Sequence, residues 1–193
     1  MTLTRLLSVG LVLPVALLVL LGFLVSGAAN AGDDDGVKIQ ARLQGIQEVP
    51  AVSTGASGRF RGEISEDGSS IMYTLSYSGL EGAVRQGHIH FAQRGVNGGI
   101  VVWLCQTLVN TDPTGLAPTC PQSGTVTGTL TAANMVNTAS AQGIVAPQFS
   151  ELVRAIRAGV TYANVHSAGA GGTAGNFTGG EIRGQIKAHG DDD

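Results

Sequence analysis

The chain has 193 residues, 29 of them glycine, with charge on only 13% of positions and a formal net charge of −3. Such a glycine-rich, charge-poor composition argues against a helical bundle, and no overall excess of basic residues marks the chain as a nucleic-acid binder. Once an N-terminal leader is set aside, about 160 residues remain, enough for one well-formed core.

In chain order the leader comes first. Arg5 supplies its positive end, and a nearly unbroken apolar run extends from Leu6 to Val25. Ala29-Asn30-Ala31 fits the small-residue cleavage pattern, so residues 1–31 read as a signal peptide cut between Ala31 and Gly32. The rival reading is an uncleaved anchor, because a run of about 20 apolar residues can span a bilayer. Pro14, Gly22 and the small-residue exit favour cleavage, which leaves no membrane span and a secreted or periplasmic protein. Residues 32–36 form an acidic linker, 37–188 a β domain, and 189–193 an acidic tail.

Period-2 alternation runs through the domain. Val37, Ile39, Ala41 and Leu43 alternate with Lys38, Gln40 and Arg42, and Ile71 to Tyr77 repeats the pattern. Val84 to Phe91 is strand-like, and Gly99 to Cys105 is a continuous apolar run suited to a strand buried on both faces. Three segments alternate glycine with a hydrophobe: Gly58-Phe60-Gly62, Gly124-Val126-Gly128 and Gly180-Ile182-Gly184. Glycine inside a strand marks close approach, and large side chains from a facing sheet are expected over these positions. Phe149, Leu152, Val153 and Ile156 follow helical spacing, with Gly159 as the stop. Ser167 to Gly180 reads as a Gly/Ala-rich loop carrying the acceptor pattern Asn176-Phe177-Thr178. About eight strands and one short helix predict an all-β fold: an antiparallel Greek-key β-sandwich or flattened barrel.

Two kinds of residue carry chemistry. Cys105 and Cys120 are the only cysteines, and in an oxidising compartment an isolated pair forms a structural disulfide. His88 and His90 share one side of a strand, and His166 ends another strand, Val160 to His166. If the two strands meet, three imidazoles converge, and three nitrogens suit copper or zinc with an open position. The alternative is a cluster satisfied by carbonyls or carboxylates. Glu48 and Glu181 are candidate partners, Glu48 also a weak candidate ligand. Nitrogens within about 4 Å of one another would fit a common ion, and a spread beyond about 8 Å would exclude one. No Gly-x-Ser-x-Gly elbow is present.

Several ordered motifs resemble the CHRD domain, the module named for chordin. They are Leu43 to Pro50 with Thr54 to Gly58, Gly87-His-Ile-His90 with Gly95 to Ile100, Tyr162-Ala-Asn-Val-His166, and Gly180-Glu-Ile-Arg-Gly-Gln-Ile186. The resemblance covers roughly Val37 to Lys187 and implies an extracellular β-sandwich-like module. In this sequence Ser167 stands where the family has Thr, and a longer Gly/Ala-rich loop follows. The His-x-His strand is also similar to one in copper–zinc superoxide dismutases, without the rest of their ligand set. The expected function is an exported, non-enzymatic binding module for a protein or small ligand. The alternatives are a copper- or zinc-binding protein using His88, His90 and His166, and a structural envelope or extracellular domain.

Overall fold

The computed structural model describes residues 36–169 and 176–189. The leader with its Ala31–Gly32 junction, both Asp runs and residues 170–175 of the Gly/Ala-rich loop lie outside them.

Nine strands form among the described residues: β1 (Val37–Gln44), β2 (Ser57–Ile64), β3 (Ile71–Ser78), β4 (Ala83–Phe91), β5 (Ile100–Cys105), β6 (Gly124–Leu130), β7 (Thr161–Ala168), β8 (Ile182–Gln185) and β9 (Lys187–His189). Their order is β5-β4-β7-β8-β1-β2-β3-β6, all pairs antiparallel, with β9 beside β1. β8 meets β1 only at Gln44 opposite Arg183, while β9 continues along Lys38 to Gln40. The sheet therefore turns at this junction, and β5-β4-β7-β8 lies across the core from β1-β2-β3-β6. The result is the flattened all-β barrel that the alternating pattern predicts.

Alternation decides which side chains enter the core. Ile39, Leu43, Phe60, Leu75, Ile89, Val165 and Ile182 are at most 2% exposed and share one cluster. The expected helix forms as α1 (Phe149–Arg157), and its Phe149, Leu152, Val153 and Ile156 join that cluster. Gly159, at φ +67°, ends it in the left-handed region that glycine tolerates. The free edge of β5 is partly covered by the chain after β6: Val136 N–H donates to Val101 O at 2.9 Å and the Thr138 hydroxyl to Ile100 O at 2.5 Å.

The glycine repeats are filled differently from the expectation of facing-sheet side chains. A methyl at Gly128 would stand 2.7 Å from the Tyr73 hydroxyl, and one at Gly62 would stand 3.1 Å from Ile39 Cγ1. Both neighbours sit on adjacent strands of the same sheet, directly opposite in register. The other half does come close at Gly58, through Ile182 at 3.1 Å, and at Gly184, through Arg42 O and through Ala41 Cβ at 3.2 Å. Tyr73 is flanked by Gly62 and Gly128, and Tyr77 by Gly58 and Gly124. The bare flanks give each ring room. Their hydroxyls then cross the core to Leu104 O at 2.6 Å and Pro121 O at 2.5 Å, satisfying a buried polar group at each end.

Cys105 and Cys120 form a disulfide. The loop that it closes is organised by buried Asp112, whose carboxylate accepts from the N–H groups of Thr114, Leu116 and Ala117. Among the described residues no helix is long and apolar enough to cross a membrane.

Candidate metal centre

His88 and His90 stand on β4 with Ile89 between them on the core side. β4 pairs with β7 so that His88 lies opposite Asn164, His90 opposite Tyr162 and Gln86 opposite His166. Period-2 alternation on both strands then brings the three imidazoles to the outer face of β4 and β7, away from the main core. Register shifts between β4 and β5 bracket His88 and Ile89, and Trp103 falls opposite His88; such bulges re-aim side chains. Loops roof this face, leaving His88, His90 and His166 at 0%, 7% and 6% exposure.

One nitrogen from each ring lies within 4.8 Å of the others. The closest pair is His88 Nδ1 and His166 Nε2 at 3.2 Å. That distance is a hydrogen bond in the metal-free protein, and it is also close to the ~3.4 Å separating two ligands on a tetrahedral ion with bonds near 2.1 Å. The 4.8 Å bound on all three falls between the ~4 Å that fits a common ion and the ~8 Å that excludes one. His166 Nδ1 contacts Thr178 O at 2.8 Å and His90 Nδ1 contacts Gly98 O at 2.9 Å. A carbonyl only accepts, so both rings carry their proton on Nδ1 and turn a lone pair on Nε2 inward. Burial pushes all three rings down from the usual histidine range, His90 to about 4. They are therefore neutral at pH 7, the form that binds a metal.

Aromatic rings and a second polar layer hold the cluster. Trp103 meets His88 edge-on at 4.4 Å, and Tyr162 stacks flat on His90 at 4.7 Å. Arg183 lies over the Tyr162 ring, 3.4 Å from its centroid, and is 1% exposed. Its guanidinium donates to Asn97 Oδ1, Gln93 O and Val96 O. Asn164 hydrogen-bonds the Glu48 carboxyl. Burial raises the Glu48 carboxyl to about 7 despite the attraction of Arg183.

The two carboxylates expected near the histidines take other places. Glu48 is outside the three-histidine group and belongs to the layer with Asn164 and Arg183. Glu181 accepts from Thr54 Oγ1 at 2.7 Å, from Glu81 N–H at 2.9 Å and from Ser167 Oγ. Neither therefore satisfies the ring nitrogens. His88 Nε2, His90 Nε2, Glu48 Oε1 and Asn164 Oδ1 are buried without a hydrogen-bond partner. Buried polar atoms are nearly always paired, so four orphans in one place point to a guest. Sequence reasoning did not single out Trp103, Asn164, Tyr162 or Arg183. Tyr162, Asn164 and His166 do occur at alternate positions on one strand, a signal visible in the sequence.

Every segment that carried the family resemblance meets at this site: Glu48 from the first, His88, His90 and Gly98 from the second, Tyr162, Asn164 and His166 from the third, Arg183 from the fourth. Comparison with curated proteins returned no match. The family model for the CHRD domain matches residues 39–186. That span runs from Ile39 within β1 through β8 and covers well over half of the chain, and the chain belongs to the CHRD domain family.

Proposed function

We propose that the mature chain is an exported, non-enzymatic binding module, and that its ligand is one copper or zinc ion held by His88, His90 and His166. The observation that carries this reading is the set of three buried, neutral imidazoles that each offer one nitrogen within 4.8 Å of the other two, with His90 Nε2 lacking a partner. An all-nitrogen donor set favours copper or zinc over magnesium or calcium, which take oxygen ligands. The carbonyls of Gly98 and Thr178 act as the outer layer that orients ligating rings. Export is supported by the leader pattern and by a disulfide, a bond that persists in oxidising compartments.

The test uses tag-free protein recovered from the exported fraction. Amino-terminal sequencing should begin at Gly32. After dialysis against Cu²⁺ or Zn²⁺, elemental analysis should find about one equivalent, close to the single site counted above. His90→Gln should lose the metal while keeping the far-ultraviolet β signature. Folded wild-type protein that takes up neither ion would refute the metal reading, and an intact Met1 would refute cleavage.

A further inference from the structure

The outer face of β9-β1-β2-β3-β6 is on the opposite side of the barrel junction from the histidines and has a chemistry of its own. Alternation turns Lys38, Gln40 and Arg42 of β1 outward, with Arg59 and Arg61 of β2 beside them. Arg42 stands directly opposite Arg59, and Gln40 directly between Arg61 and Lys187. Like charges opposite each other weaken a sheet. No ion pair forms on the face: among the described residues the only one is Arg154 with Glu151, on α1. The sole acid in these rows is Glu63, at the far end opposite Lys38. The chain as a whole is negative, at −3, so this basic patch is a local concentration.

Two grooves with shared lining run along this face, beside a third pocket of about 310 Å³ lined by Lys38, Gln40, Arg61 and His189. One of about 580 Å³ is lined by Arg42, Arg59 and a row of hydroxyls that includes Ser57, Ser76 and Thr125. The other, about 350 Å³, adds Gln40, Arg94, Gln185 and Lys187. Both include Arg42 and Arg59, so they join at the repelling pair into one track. Five strands at 4.7–4.9 Å spacing make that track about 19 Å long, which suits an extended ligand.

We propose that this track binds an acidic polysaccharide, a chain of sugars bearing carboxylates. Guanidinium groups take carboxylates in bidentate pairs, and the serine, threonine and glutamine side chains match sugar hydroxyls. Nucleic acid fits less well. Tyr77 is the one aromatic residue lining the grooves, and it is 3% exposed with its hydroxyl engaged at Pro121 O. No ring of these two grooves is free to stack on a base, and the exposed imidazole of His189 lies beside them. A protein partner fits less well too, because stable interfaces have an apolar centre, and among the large hydrophobic side chains of these rows only Met72, at the β6 end, is exposed.

The experiment is affinity electrophoresis and calorimetry of the mature protein with polygalacturonate. Fully methyl-esterified polygalacturonate and single-stranded DNA serve as comparisons. Binding to polygalacturonate should appear at low salt, fall steeply with added NaCl, and be absent for the esterified polymer. Arg42→Gln with Arg59→Gln should weaken it at least tenfold, whereas Arg157→Gln on α1 should leave it unchanged. The double variant should melt no lower than wild type, because it removes a repulsion. Equal affinity for single-stranded DNA, no binding at low salt, or full binding by the well-folded double variant would each overturn the proposal. His90→Gln should bind the polymer as wild type does, which separates this surface from the metal centre.

Discussion

Glu48→Gln in the metal-free protein offers a sharp test of the buried polar layer. Glu48 is 6% exposed, and burial raises its carboxyl from 4.5 to about 7. Between those values the folded state holds a proton that the unfolded chain has released. The stability contributed by protonated Glu48 is therefore fully present below pH 4.5 and is lost as pH rises through 7. A difference of 2.5 between the two values corresponds to about 3 kcal/mol at alkaline pH. Glutamine has nearly the same shape and cannot ionise. The variant should match wild type near pH 4.5 and become more stable by up to about 3 kcal/mol at pH 8.5. Urea unfolding in chelator, followed by Trp103 fluorescence at several pH values, measures the difference. A stability gap that stays flat from pH 4.5 to 8.5 would show that the carboxyl ionises freely in the folded protein and would refute the reasoning.

Two further outcomes follow from the core. Replacing Cys105 and Cys120 together by alanine opens a loop spanning 15 residues, and should cost about 3 kcal/mol in the chain-entropy account, read as a lowered urea midpoint; an unchanged midpoint would mean that the Asp112 network alone holds the loop. Gly128→Ala should destabilise by about 1–3 kcal/mol, the usual cost of overpacking, since its methyl would meet the Tyr73 ring at 2.7–2.9 Å. Adding Tyr73→Phe should relieve part of that cost, and strict additivity of the two would argue against the contact.

The sequence was most readable where a rule acts between near neighbours. Alternation placed His88 and His90 on one face and Ile89 on the other because strand side chains have a period of 2. Helical spacing and Gly159 delimited α1 for the same local reason. The glycine repeats were visible, but their occupants were not. Whether Tyr73 or a facing-sheet residue covers Gly128 depends on β3 lying beside β6, a pairing of segments about 50 residues apart.

Residue types and their order thus determined the all-β class, the cysteine pairing and the candidate histidines, since composition, parity and the count of cysteines suffice for those. Tertiary structure alone decided the rest. The register of β4 against β7 brings His166 to within 3.2 Å of His88. Folding of the first loop sends Glu48 to Asn164 and Arg183 instead of to the rings. The register of β1 against β2 sets Arg42 opposite Arg59. The two strand registers are chosen by which apolar faces bury together, and a shift of one residue in either would turn its histidines or arginines to the other face of the sheet.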